Sequence, residues 1–236
     1  MNLELELRAE NWEKVARALG DDNTIHYRSN DIKNPICPGI YLFSDAEKKY
    51  RELFEFNHPM QIKGKFHSPT FQEILDVDIE RNDKNCFKLI YSRGSNPVAD
   101  FEFNSLFDKN CFSITNDSYQ EVSPIDSERL EMFNEGMQLN GNLDIYASFV
   151  LGGVLKSFLR ERKGSVLYGM EFDFYDGLEL EEINTLLEIQ SKDVTKDPKR
   201  KVRRMEYCIR GQVNQGNRKI ATGRGLAFGK ERIQSM

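Results

Sequence analysis

The sequence predicts an α+β protein with antiparallel strands, and three observations lead there. Helical segments come in pairs and are followed by four strand-like runs in succession, instead of single strands alternating with helices. The order strand, helix, longer helix, four strands occurs twice along the 236 residues. Within the strand-like runs, apolar residues recur at every second position, as one face of an antiparallel sheet requires.

The elements can be justified in turn. Residues 3–7 alternate polar and apolar side chains and read as a short strand. Trp12, Val15, Ala16 and Leu19 then share one helical face, and Gly20 supplies the C-terminal stop. After a polar loop, residues 39–54 form a helix that buries Phe43, Ala46, Tyr50, Leu53 and Phe54. Strands are expected at 60–66, 74–79, 87–91 and 98–103; Leu75, Val77 and Ile79 face one way, Asp76 and Asp78 the other. Turn-rich stretches such as Arg93-Gly94-Ser95-Asn96-Pro97 join them. The second round begins with a strand around 112–122 and a short helix opening at Asp126 or Ser127, with Leu130, Phe133 and Met137. A helix at 143–159 is apolar over most of its circumference and must be enclosed on several sides. Strands at 166–174, 183–194, 202–213 and 220–228 close the chain. A duplication is implied, with one unit at 1–105, a second at 111–236 and the boundary within 106–110.

Composition narrows the partners. A net charge of −5 gives no general attraction for nucleic acid, so no such partner is expected. Cys37, Cys86, Cys111 and Cys208 form no CxxC pair, so neither a disulfide framework nor a zinc ribbon is indicated, and no metal is expected. The opening MNLELELRAENWEK lacks the basic and apolar blocks of a signal peptide. The most apolar run, 145–159, is broken by Ser148, Gly152, Gly153, Lys156 and Ser157, so no membrane partner is expected either. A reduced, cytoplasmic, soluble protein is the expectation. The cluster 196–204, Lys-Asp-Pro-Lys-Arg-Lys-Val-Arg-Arg, reads as a contact for phosphate groups or an acidic partner protein, or else as a solvated hairpin tip. Thr222-Gly-Arg-Gly225 is no phosphate loop, because neither a strand–helix unit nor a Lys-Ser/Thr accompanies it.

The element order resembles the hotdog fold, in which an antiparallel sheet wraps around one long helix. The expected architecture is therefore a double hotdog: two antiparallel sheets, each wrapped around a long central helix. The alternative is an unrelated α+β domain with a single larger sheet. The segment Gly20-Asp21-Asp22-Asn23-Thr24-Ile25-His26 is similar to the signature G-D-x-N-P-[LIV]-H of the MaoC-like, (R)-specific enoyl-thioester hydratases. Gly20, Asp21, Asn23, Ile25 and His26 match it. The segment Pro35-Ile36-Cys37-Pro38-Gly39 resembles the family's approach to the central helix. Taken alone, Asp21-Asp22-Asn23 would serve as a polar helix exit, and His26 as a hydrogen-bonded structural histidine.

The resemblance implies that Asp21 and His26 are the catalytic pair of a hydro-lyase acting on (R)-3-hydroxyacyl or trans-2-enoyl thioesters. Such chemistry needs a base for water and an acid for C2. It also needs a donor for the charge that develops on the thioester oxygen. Gly39, at a helix N-terminus, is the candidate oxyanion donor, since its missing side chain would let substrate approach its N–H. Asn23 is expected to position the loop through side-chain bonds to backbone. No cofactor is implied, the substrate being carried as a thioester of coenzyme A or phosphopantetheine. An acyl carrier protein is a further candidate partner. The two units would make a pseudo-dimer within one chain, itself able to pair as a homodimer.

Three positions depart from the pattern. Thr24 stands for Pro, loosening a turn; Pro38 stands for His, removing an imidazole and a backbone donor; Ile32 stands for a small residue. The second unit has no histidine, and its stretch with Asn140, Asn142 and Asp144 lacks the motif. In double-hotdog hydratases such a degenerate unit makes room for the acyl chain, though the eukaryotic ones place the site-bearing unit second. Leu151, Leu155 and Phe158 are the candidates to line that tunnel, with plain core as their competing role. His58 and His67 read as surface or packing residues. Two other functions compete: a hotdog acyl-thioesterase, drawing on Asp45 or Glu47 of the central helix, and a non-catalytic acyl-thioester-binding subunit of a biosynthetic complex.

Overall fold

The computed structural model describes residues 3–29, 32–54, 59–81, 85–105, 114, 119–139, 145–162, 165–195 and 202–232. Its first strands are β1 (Leu3–Glu6), β2 (Met60–Phe66), β3 (Ile74–Arg81), β4 (Cys86–Arg93) and β5 (Asn96–Asn104). The later ones are β6 (Tyr119–Pro124), β7 (Val166–Phe174), β8 (Glu182–Asp193), β9 (Val202–Gln215) and β10 (Arg218–Arg232). The helices are α1 (Ala9–Leu19), α2 (Gly39–Leu53), α3 (Ser127–Met137) and α4 (Ser148–Glu161). A 3-10 turn spans Thr24–His26.

The two expected sheets are joined edge to edge: the described strands form one continuous ten-stranded sheet, paired antiparallel throughout. Its order is β1-β3-β4-β5-β2-β7-β10-β9-β8-β6. Read inward from either end, the sheet gives β1-β3-β4-β5-β2 and β6-β8-β9-β10-β7, the same order twice. The halves are fused where β2 pairs with β7, from Met60 opposite Phe174 to Lys65 opposite Gly169. Pairing there satisfies backbone groups that two separate sheets would expose as edges.

Helices α2 and α4 touch one another, with α2 also against β5 and α4 against β6, β8 and β9. Phe43 meets Phe101 edge-on with centroids 5.9 Å apart, and Tyr50 stacks on Phe103 at 4.5 Å. Helices α1 and α3 pack closely because Gly136 leaves no Cβ, which would lie 2.7 Å from the Asn11 carbonyl. Trp12, fully buried on α1, donates its indole N–H to the His26 carbonyl at 3.0 Å and ties that helix to the following loop. Replacing such a residue by Ala costs on the order of 3–5 kcal/mol.

Two boundaries differ from expectation. The helix expected at 143–159 starts at Ser148, because the Glu47 carboxylate holds the N–H groups of Ala147 and Ser148 at 2.6 and 2.9 Å. Ile145 and Tyr146 lead into that start without being helical, and 143–144 lie outside the described residues. Of the strand expected at 112–122, the described part pairs as β6 from Tyr119 to Pro124 and Ile114 is buried outside any strand, while 112, 113 and 115–118 lie outside the described residues. The expected boundary 106–110, the stretch 140–144, His58 and the basic residues 196–201 also lie outside the described residues.

Candidate active site

The site begins where α1 stops. Gly20 takes φ +76°, a left-handed conformation that costs glycine little. Its N–H donates to Arg17 at 3.1 Å and that of Asp21 to Ala16 at 2.8 Å, so the helix end is closed and Asp21 leaves from fixed backbone. The Asp21 side chain turns inward and is buried. Its Oδ1 accepts the Asn23 N–H at 3.1 Å, and its carbonyl accepts the Tyr27 hydroxyl. The Asn23 carbonyl in turn takes the His26 N–H at 3.0 Å, closing the 3-10 turn. Asn23 thus shapes the loop through its backbone, and among the described residues its side chain makes no hydrogen bond, contrary to expectation. Thr24 opens that turn and accepts the Tyr27 N–H at 3.2 Å, so no proline is needed to form it.

Positions Asp21 and His26 converge. His26 Nε2 lies 3.5 Å from Asp21 Oδ2, and both side chains are largely shielded from solvent. The other ring nitrogen, Nδ1, is 2.7 Å from the Ile36 carbonyl. A carbonyl can only accept, so Nδ1 carries a proton and Nε2 is the ring nitrogen turned toward the carboxylate. Ile36 is itself anchored, its N–H donating to Ile25 at 2.9 Å, while the next residue, Cys37, pairs with Thr70. Burial pushes the Asp21 carboxyl above the usual carboxylate range; attraction to His26 and the Asn23 N–H oppose the rise, and Asp22 adds to it. At 3.5 Å no atom fits between the acid and the imidazole, so a small polar molecule that touches both sits beside the pair, on the cavity side.

Both face a cavity of about 370 Å³, also lined by Asn23, Gly39, Phe66 and His67 and by Leu155 and Phe158 of α4. Leu151 is corrected: it is buried in the core one turn earlier on α4 and does not line the cavity. Gly39 is the first residue of α2, and its N–H has no partner among the described residues. The reason for glycine there differs from expectation, because a Cβ would lie 2.7 Å from Phe66 Cε1. The missing side chain makes room for Phe66, which packs over the helix start. Cys37 also borders the cavity, but burial pushes its thiol pKa up, so it stays protonated and is no nucleophile.

The two acids of α2 are committed elsewhere. Asp45 accepts Lys49 Nζ at 2.8 and 2.7 Å and the Tyr91 hydroxyl at 2.8 Å. Glu47, fully buried, takes the N–H groups at the start of α4, the Ser148 hydroxyl at 2.9 Å and Arg51 at 2.9 and 3.1 Å. Neither lines the cavity. Sequence reasoning missed His67: it lies beyond β2, borders the same cavity, and its Nε2 is 2.6 Å from Asp100 Oδ2. No local spacing signals that pair, since the partners are 33 residues apart. Among the described residues no cluster of His, Cys, Asp and Glu could hold a metal ion, and no helix is long and apolar enough to cross a membrane.

Comparison with known proteins supplies the fold. No family model and no curated protein matches the sequence. Solved structures do match in shape. A MaoC-like dehydratase from Phytophthora capsici superposes with TM-score 0.62 at 9% identity, covering 96% of this chain and 94% of that one. The Mycobacterium tuberculosis protein Rv0216, described as having a double hotdog fold, gives 0.61 at 10% identity over 98% and 96%. An oleoyl thioesterase from Lactobacillus plantarum gives 0.58 at 7% identity over 100% and 96%. At such identities the likeness is one of fold, and the fold of this chain is the double hotdog.

Proposed function

We propose that the protein is a hydro-lyase acting on (R)-3-hydroxyacyl or trans-2-enoyl thioesters, with Asp21 and His26 as its proton-handling pair. The observation that carries this reading is the fixed His26 ring, with Nε2 turned to a buried Asp21 at 3.5 Å on the cavity wall. In hydration, a water held against both side chains on the cavity side loses a proton to one of them as its oxygen bonds C3. The other gives a proton to C2, so the double bond is consumed, and the proton gained by the first then passes to the second to restore the pair. Dehydration is the same path reversed. The Gly39 N–H, at the positive end of α2, is the donor for the thioester oxygen as it gains charge. Pro38, the residue before it, has no N–H to add a second donor.

Supporting this reading, the acyl chain has apolar side chains to lie against, since Leu155 and Phe158 also border the cavity. The repeated strand order supports a division into a site-bearing unit, 1–105, and a second unit, 111–236, that contributes these side chains. The MaoC-like dehydratase and the thioesterase share the fold equally well, so the choice between them rests on side chains. A thioesterase drawing on Asp45 or Glu47 lacks a free acid here, as both are bonded away from the cavity. The test is a paired assay on a trans-2-enoyl thioester: loss of enoyl absorbance without release of thiol is expected. Thiol release would favour cleavage, and no change in either signal would favour a binding protein.

A further inference from the structure

The cavity has a depth axis. At its closed end Asp21 and His26 are 3% and 8% exposed, whereas at its rim the His67 side chain is 38% exposed and Val166 54%. A thioester whose reacting carbons lie against Asp21 and His26 must therefore send its thiol portion out past the rim. There the chain has built a second, differently constructed histidine–carboxylate pair. The His67 backbone N–H donates to the Val98 carbonyl at 2.9 Å, and its ring Nε2 is held by Asp100 at 2.6 Å. Asp100 is fixed in turn from the neighbouring strand, with Lys88 Nζ 3.6 Å away. A carboxylate accepts, so Nε2 carries the proton and Nδ1 is left without a partner among the described residues. An oriented imidazole open to solvent is poorly placed for proton transfer to carbon, which gains from excluding water. It is well placed to bond a polar, extended ligand lying along the rim.

We infer that His67, oriented by Asp100, is a binding residue for the phosphopantetheine arm that coenzyme A and carrier proteins share. This rests on the hydro-lyase reading for the direction in which the substrate lies. The free ring nitrogen accepts an amide N–H of the arm when neutral, and donates to its carbonyl or phosphate oxygens when protonated. His67 does not enter the proton steps at Asp21 and His26; it sets which thioesters are held well enough to reach them.

The test uses the full chain and one 2-enoyl group on three thiols: coenzyme A, phosphopantetheine and N-acetylcysteamine, which lacks most of the arm. His67→Ala should raise KM about five- to tenfold for the first two, the range one hydrogen bond spans. It should leave kcat and the N-acetylcysteamine reaction within about twofold. Asp100→Asn, which removes the orienting charge, should act in the same direction and less. The same loss should appear in the Kd of a saturated acyl-phosphopantetheine, which cannot be hydrated. An unchanged KM on all three thiols, with wild-type turnover intact, would overturn the inference while leaving the hydro-lyase reading in place. A fall in kcat on N-acetylcysteamine would also overturn it, by putting His67 into the chemistry. An effect with coenzyme A alone would overturn it too, since the nucleotide and not the arm would be read. If no thioester is hydrated but saturated acyl-phosphopantetheine still binds through His67, the inference stands and the hydro-lyase reading falls.

Discussion

The starts of α2 and α4 hold the same place in the repeated element order, each in front of the strand that fuses the halves, yet they end in opposite states. At α4 the N–H groups of Ala147 and Ser148 are closed by the two oxygens of Glu47, and Arg51 balances that carboxylate from the next turn of α2. At α2 the Gly39 N–H is left unpaired on the wall of a cavity that also holds Asp21 and His26. A helix N-terminus attracts an anion whatever its source. Where the protein supplies that anion itself, the end becomes a joint; where it does not, the end is open to a ligand. The difference teaches that one repeat has turned its helix end into structure, using an acid borrowed from the other repeat, while the other end keeps an N–H with no partner among the described residues.

The sharpest way to break this comparison is at the open end. Asp21→Asn and His26→Ala should each lower hydration by about 10²–10⁴-fold, the span of general acid–base catalysis. The double variant should lose little beyond either single, since in the proposed mechanism the two act on one water. Steady-state rates with any enoyl thioester accepted by the wild type check this. Fully additive losses would mean that the two residues work separately.

The closed end should respond in stability instead. Glu47→Ala leaves Arg51 without its buried partner and the start of α4 uncapped, and a loss of about 3–5 kcal/mol is expected. Glu47→Gln keeps an acceptor for one of the two N–H groups and should lose less. Denaturant unfolding measures both. If Glu47→Gln folded normally and yet lost all turnover, the carboxylate would be catalytic and the joint would be incidental.

Much of this contrast was legible in the sequence, though unevenly. The strands were readable because their period-two pattern is local, as at Leu75, Val77 and Ile79. The end of α1 was readable because Gly20 states its own conformation. Asp21 and His26 could be paired because the segment resembles a known signature and only four residues of loop separate them. What failed to show was set by distant partners. Glu47 reads as a spare acid on a helix until Ala147, 100 residues on, is seen to donate to it. The same bond fixes where α4 begins, so the apolar pattern alone placed that start too early. Leu151 and Leu155 look alike in sequence, and only the crossing of α4 over the sheet decides which one borders the cavity. Phe66, the reason for glycine at 39, and Asp100, the partner of His67, come from other strands altogether.

The smallest expected effect is also the most direct probe of how the open end is held. Asp21 is a buried acid whose pKa the fold raises, burial outweighing the attraction of His26. For such a group the folded state favours the protonated carboxyl, so its contribution to stability is fully present below the unfolded pKa. That contribution is lost as pH rises through the raised folded value. Asparagine does not titrate, and its oxygen can still accept the Asn23 N–H. Asp21→Asn should therefore match the wild type in acid and become the more stable of the two as pH rises toward neutrality. A difference of about 1 kcal/mol would separate the melting temperatures by roughly 2–4 °C in a chain of this size. Melting curves taken across the acid-to-neutral range read the gap. A gap that opened toward acid, with the wild type the more stable at neutral pH, would mean that the ion pair with His26 outweighs burial. The open end would then be held together by charge, as the closed end is, and the two starts would differ only in which carboxylate serves them.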